Sequence, residues 1–349
     1  MRVAVDAMGG DFGPPVIMPG SLAVLDDADY PNLTLIFFGR EDAITPYLAK
    51  LSAGQRERVS IVHTDVEITM DDSPAQAVRR KPTSSVALAL GQLKSGTVDS
   101  VMSMGNSGAV MAGALAINGR IPGVARPALV TVLPTLKDRT LMLDLGAIVD
   151  PRPAYIVQHA LMATVYARAA MGMPQPKVGL LSNGEEPSKG NQLVQDAFPL
   201  LAATPEIAFV GNVEGKELLR GDIDIVVTDG FTGNVALKSM EGAISVLTDI
   251  LREEMTATLP RKVMAMLMRP ALRNVRNRLD YEEIGGAPLL GVNGTVIVGH
   301  GRSKERATAN AVRVAYRTAA LNIPAEIGNL IKSVNDRLAG SQQPALATD

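Results

Sequence analysis

Four glycine-rich turns hold the residues best suited to chemistry: DAMGGDFGP (6–14), SMGNSGA (103–109), NGEEPSKGN (183–191) and TDGFTGN (228–234). Each follows a short apolar run of strand type. Glycine lets backbone N–H groups approach an anion, and a helix that follows adds unpaired donors and the positive end of its dipole. A phosphate suits such a cradle. None of the four is a GxxxxGK[ST] phosphate loop or a G-x-G-x-x-G fingerprint, so a nicotinamide dinucleotide has little support. Lys189 stands at an expected helix start, where a cation opposes the dipole. Two readings follow: it neutralises a phosphate or a developing oxyanion, or it pairs with Glu185 or Glu186. Asp6, Asp11 and Asp229 can orient such a lysine or an asparagine amide. The acidic residues lack the spacing of a metal site, so no metal is expected. Of His63, His159 and His300, only His300, in the turn GHG, sits where a ligand would reach.

These turns need a scaffold that places them together. Short β-branched runs at 2–6, 33–38, 59–63, 98–103, 128–133, 140–144, 177–182, 207–210, 223–228 and 294–298 alternate with helical stretches at 83–94, 153–171, 189–202, 231–257, 303–320 and 324–338. That alternation predicts an α/β fold, a parallel sheet with crossover helices whose strands' carboxyl ends carry the ligand turns. Residues 1–338 read as one domain of two lobes sharing a sheet, with 339–349 as a loose tail. The 349 residues are 46% hydrophobic and 20% charged, enough for a large core. Aromatics are 3% and the net charge is −2, which argues against a nucleic-acid partner. There is no cysteine, so disulfides, thiolate metal sites and a cysteine acyl-enzyme are excluded, and a reducing cytoplasm fits. No run is long and apolar enough to span a bilayer.

The sequence resembles the PlsX family of phosphate acyltransferases. The likeness is carried by AVDAMGGDFGP (4–14), SSVALALGQLKSG (84–96), SMGNSGA (103–109), ARPAL (125–129), LDLGA (143–147), NGEEPSKGN (183–191), VEGKEL (213–218), VVTDGFTGNVALK (226–238), DYEEIGGAPLLGVNG (280–294) and GHG (299–301). The resemblance implies an isocitrate/isopropylmalate-dehydrogenase-like fold with a helical protrusion, a homodimer, and no cofactor. The implied reaction moves a fatty acyl group from an acyl-carrier-protein thioester to inorganic phosphate. The product, an acyl phosphate, would serve a membrane acyltransferase that acts on glycerol 3-phosphate. In that reading Asp6, Gly9, Gly10, Asp11, Asn106, Ser107, Gly108 and His300 form the phosphate site. Lys189 offsets negative charge, Asn234 donates to the thioester carbonyl, and Asp229 orients the cleft. Two positions depart from the family: Ile148 stands where an asparagine is usual, and Ser182–Asn183 replaces an Asn–Ile pair. A coenzyme A-dependent phosphate acetyl- or butyryltransferase, a hydroxyacid dehydrogenase and an inactive membrane scaffold are the alternatives.

Two surface features belong to partners. Arg79, Arg80 and Lys81, or else the basic run from Arg261 to Arg278, could dock an acidic carrier protein. In the segment 260–279, Met264, Leu267, Met268, Ala271, Leu272, Val275 and Leu279 share one helical arc, opposite Lys262, Arg269, Arg273 and Arg276. Pro270 is expected to split it. Such an arc suits the surface of an anionic membrane on the cytoplasmic side, or a dimer-packing helix pair. The whole of 231–279 is therefore the expected dimer or membrane element.

Overall fold

The computed structural model describes residues 1–137, 139–279 and 285–340. Among the described residues twelve strands are present: β1 (Arg2–Asp6), β2 (Thr34–Gly39), β3 (Val59–His63), β4 (Ser100–Ser103), β5 (Ala128–Leu129), β6 (Thr131–Pro134), β7 (Arg139–Leu143), β8 (Lys177–Ser182), β9 (Ala208–Glu214), β10 (Ile225–Val227), β11 (Ala287–Leu290) and β12 (Thr295–Val298). They form two sheets, with orders β3-β2-β1-β4-β12-β11-β5 and β6-β7-β10-β8-β9. Every pairing from β3 to β12 in the first sheet, and from β7 to β9 in the second, is parallel. Only β11, with both its neighbours, and the β6–β7 pair run antiparallel.

The expected α/β architecture is present, but the two lobes do not share a sheet. The run at 128–133, read as one strand, divides at Val130. Leu129 pairs with β11 in the first sheet, and Thr131 pairs with β7 in the second. Val130 itself is fully buried, and its N–H donates to the Pro288 carbonyl at 3.1 Å. What the lobes do share is a core. Helix Pro153–Met171 is buried on all sides from Tyr155 to Ala167, as expected for a helix apolar around its whole circumference. It packs with Leu143 and Val227 of the second sheet, Leu290 of the first, and Ile323, Ile327 and Ile331 of the last helix, Ile323–Gly340.

Helix Gly230–Thr256 leaves this body. Its 27 residues extend about 40 Å, and only Gly230 and Gly233 are fully buried. Helix Leu259–Leu267 turns back against it, and helix Arg269–Leu279 follows. The break expected at Pro270 falls at Met268, which leaves Pro270 in the first turn of the next helix, where its missing N–H costs nothing. Asp280, the tail 341–349, and the side chains of Arg276, Arg278 and Leu279 lie outside the described residues.

Candidate active site

The first lobe assembles three turns at the carboxyl ends of β1, β4 and β12. Asp6 closes β1 and is buried; its carboxylate accepts from Ser85 Oγ and Ser103 Oγ, both at 2.6 Å. Burial pushes the Asp6 carboxyl up from its ordinary value, against the pull of the two hydroxyls. Ser103 also accepts from the Gly105 N–H at 3.0 Å, and its carbonyl accepts from Gly299 at 2.8 Å. Gly10 has φ +81, a conformation that favours glycine, and a side chain there would meet the Gly301 carbonyl at 3.1 Å. Buried Gly9 lies against Asp6 and Gly105, and the Asp11 N–H donates to Gly301 at 2.9 Å. Asp6, Gly9, Gly10 and Asp11 are therefore frame residues that lock the 6–14 turn to the 103–109 and 299–301 turns.

The same holds for Asn106. Its Oδ1 caps helix Ser107–Gly113 by accepting from Ala109 at 3.1 Å, and its Nδ2 donates to the Asp72 carbonyl at 2.9 Å. Both ends of the amide are thus engaged in structure. Gly108 admits Pro74, whose Cγ would stand 2.7 Å from an added Cβ. Ser107 alone of that turn lines the cleft, and its hydroxyl makes no hydrogen bond among the described residues.

In the second lobe, Asp144 follows β7 and is fully buried. Its carboxylate accepts from four backbone N–H groups: Leu129 (3.0 Å), Leu145 (2.7 Å), Ala147 (3.1 Å) and Ile148 (2.7 Å). Burial raises its pKa and these four donors oppose the rise. The Ile148 carbonyl in turn accepts from Gly230 at 2.8 Å, so the position that departs from the family works through its backbone. Asp229 caps helix Gly230–Thr256, accepting from Thr232 at 2.7 Å. That cap sets the helix that carries Asn234.

Asn234, Lys238 and Ser107 meet His300 in a cleft of about 820 Å³ between the lobes and the base of the protrusion. The walls include Leu129, Leu133, Leu145 and Leu237, and farther along the protrusion Ile244, Leu251, Met255, Leu272 and Val275. The Asn234 amide makes no hydrogen bond among the described residues, so it is available to a substrate. Across the cleft, Lys238 Nζ lies 2.7 Å from His300 Nε2 and 2.8 Å from Glu241 Oε2. The surface-exposed His300 imidazole is held below its ordinary value by partial desolvation and then by the Lys238 charge. Lys238 escaped sequence reasoning, although its i,i+4 spacing from Asn234 puts both on one helix face.

Lys189 is elsewhere. It is exposed, does not line the cleft, and packs its stem beside Gly184 in its own turn. That turn satisfies itself: Asn183 Oδ1 accepts from Gly190 at 2.8 Å, and Asn191 caps the next helix. Glu185 faces Lys216 at 3.5 Å, and Lys189 forms no ion pair with Glu185 or Glu186 among the described residues. Among the basic residues at 79–81, Arg79 and Arg80 are exposed, whereas Lys81 is drawn onto Asp72 at 2.6 Å. No cluster of potential metal ligands occurs among the described residues.

Two lobes closing on a cleft over parallel sheets define an α/β fold seen in phosphotransacetylases. A phosphotransacetylase from Streptococcus pyogenes superposes with a TM-score of 0.60 at 15% identity, covering 92% of this chain and 94% of that one. The EutD phosphotransacetylase from Staphylococcus aureus gives 0.59 at 16% identity, with 91% and 94% covered. At that identity the likeness speaks for the fold. The sequence itself goes further: residues 1–326 match the family described as fatty acid synthesis protein. The chain is 42% identical over 338 residues to a phosphate acyltransferase of Dictyoglomus turgidum, covering 97% of this chain and 99% of the relative. To that of Heliobacterium modesticaldum it is 42% identical over 344 residues, 99% of each. The chain belongs to the phosphate acyltransferase family and is an acyltransferase.

Proposed function

We propose that the chain transfers a long-chain fatty acyl group from an acyl-carrier-protein thioester to inorganic phosphate, and that the acyl phosphate feeds phosphatidic acid synthesis. The observation that carries this reading is the cleft. Its volume of about 820 Å³ lies in the upper part of the range for small-molecule sites, roughly 300–1,000 Å³. Apolar walls continue from the polar group at Ser107, Asn234 and His300 onto the protrusion, and each buried methylene contributes about 0.8 kcal/mol. An acetyl group would leave most of that wall uncovered.

The chemistry needs little from the protein beyond placement. A phosphate oxygen attacks the thioester carbonyl carbon, a C–O bond forms, the C–S bond breaks, and the proton of hydrogen phosphate ends on the departing sulfur. Ser107 and the amides of its turn hold phosphate, while Asn234 donates to the oxyanion. Losing such a donor costs about 3 kcal/mol in the barrier. Arg79 and Arg80, exposed and unpaired among the described residues, form the docking face for an acidic carrier. Exposed Val246, Leu247 and Ile250 suit a homodimer contact along the long helix, and the tip at Leu259–Met268 suits an anionic membrane surface at the cytoplasmic side.

Comparing phosphorolysis of palmitoyl-carrier protein with that of acetyl-coenzyme A tests the donor. The carrier thioester is expected to be the better substrate, and Arg79→Glu with Arg80→Glu to raise its KM and flatten its salt dependence. Preference for acetyl-coenzyme A would overturn the assignment.

A further inference from the structure

We propose that Lys238 is the cation that receives the phosphate acceptor, held between the lobes by His300 and Glu241. The inference deepens, and rests on, the reading of the cleft as a phosphate-using acyl-transfer site. Lys238 stands one turn beyond Asn234 on the same face of helix Gly230–Thr256, and both line the cleft. The helix springs from the second lobe, whereas His300 follows β12 of the first, so the 2.7 Å contact joins the two lobes across the site.

An ammonium has three N–H donors. Two are engaged, by His300 Nε2 and Glu241 Oε2, which leaves one with no partner among the described residues. Since Lys238 donates, His300 Nε2 accepts, and the ring's proton sits on Nδ1. Partial desolvation, Lys238 and Arg302 shift the imidazole toward its neutral form, against Glu241 and Asp11, which favour its charge. Thus His300 positions the ammonium without competing with it for an anion. Lys304 lines the same wall and adds to the local positive potential. Lys189, exposed and outside the cleft, has no such arrangement.

The ligand is a phosphate oxyanion, and two sources offer one: inorganic phosphate and the phosphodiester of the carrier's prosthetic arm. The proposal assigns inorganic phosphate. Lys238 keeps its proton throughout; the phosphate proton goes to sulfur as above. The test uses the full chain and its Lys238→Ala, Lys238→Arg and His300→Gln variants, with inorganic phosphate as titrant in calorimetry and as varied substrate in turnover. Lys238→Ala is expected to weaken phosphate binding and raise phosphate KM by roughly ten- to a hundredfold, the loss of a charge-assisted hydrogen bond. Carrier KM should stay unchanged and Lys238→Arg should restore part of the effect. In His300→Gln the acid-side fall in kcat/KM for phosphate that stems from imidazole protonation should vanish. Unchanged phosphate affinity in Lys238→Ala, or a rise confined to carrier KM, overturns the proposal. Calorimetry needs no acyl donor, so an error in the donor assignment would show separately.

Discussion

Asp144 binds four backbone N–H groups from the β5 strand and the 145–148 turn, and so fixes the floor on which helix Gly230–Thr256 begins. Oδ1 takes three of them and Oδ2 the fourth, from Ile148. Asp144→Asn must turn an NH₂ toward at least one of these donors. A buried donor left facing a donor costs about 1–3 kcal/mol, so thermal unfolding of this variant is expected several degrees below wild type. Ile148→Asn keeps both backbone bonds and should leave stability and turnover as they are. An unfolding midpoint for Asp144→Asn equal to wild type would show that the N–H groups have other partners. Asp6 acts in the same way in the first lobe, through two serine hydroxyls. Of the polar side chains in the quoted motifs, Ser107, Asn234, Lys238 and His300 line the cleft.

Among the elements, the protrusion stands out because its apolar side chains stay in water. Met264, Met266 and Leu267 are 59%, 72% and 74% exposed; half-buried Leu272 and Val275, still 53% exposed, line the cleft. The arc read from the sequence is therefore split at Met268 into an exposed first part and a second part that reaches the cleft wall. Leu267→Glu with Met268→Glu is expected to abolish flotation with anionic liposomes while leaving oligomeric state and soluble turnover intact. Collapse to monomers would mean that the tip is a subunit interface. Helix Pro153–Met171 was legible because its pattern accumulates over 19 residues, and strands β1, β3 and β8 because turn residues bound their β-branched runs; all four match their expected bounds. Helices Glu41–Leu48, Pro74–Arg80 and Ser107–Gly113 were not, being two turns or so with Pro46, Pro74 or a glycine turn masking the pattern. Strand β11 was hidden by Pro288 and flanking glycines. The Lys238–His300 contact spans 62 positions, and only the strand order of two separate sheets brings its ends together.

For the whole molecule, the shared core carries an acid-sensitive group. His159 lies at its centre, fully buried, and burial pushes its imidazole down to about 4 from 6.5. The unfolded chain binds that proton first, so stability is complete above pH 6.5 and falls as the pH drops toward 4, by roughly 3 kcal/mol in all. Asp6 and Asp144, whose folded values are raised, act oppositely: below those values they take up protons that favour the folded state, a gain complete near 3.8. The His159 share is therefore read as the difference in slope between wild type and His159→Gln in denaturant titrations across this window. Parallel profiles would contradict it. Both lobes, joined by that core, border one cleft, where the proposed reaction brings a thioester and a phosphate together. The most direct test incubates palmitoyl-carrier protein with the enzyme, with and without phosphate, and traps acyl phosphate with hydroxylamine. Hydroxamate and free carrier thiol are expected in equal amounts, only when phosphate is present, and little of either in Asn234→Ala. Thioester loss that is independent of phosphate, yielding free fatty acid, would contradict it.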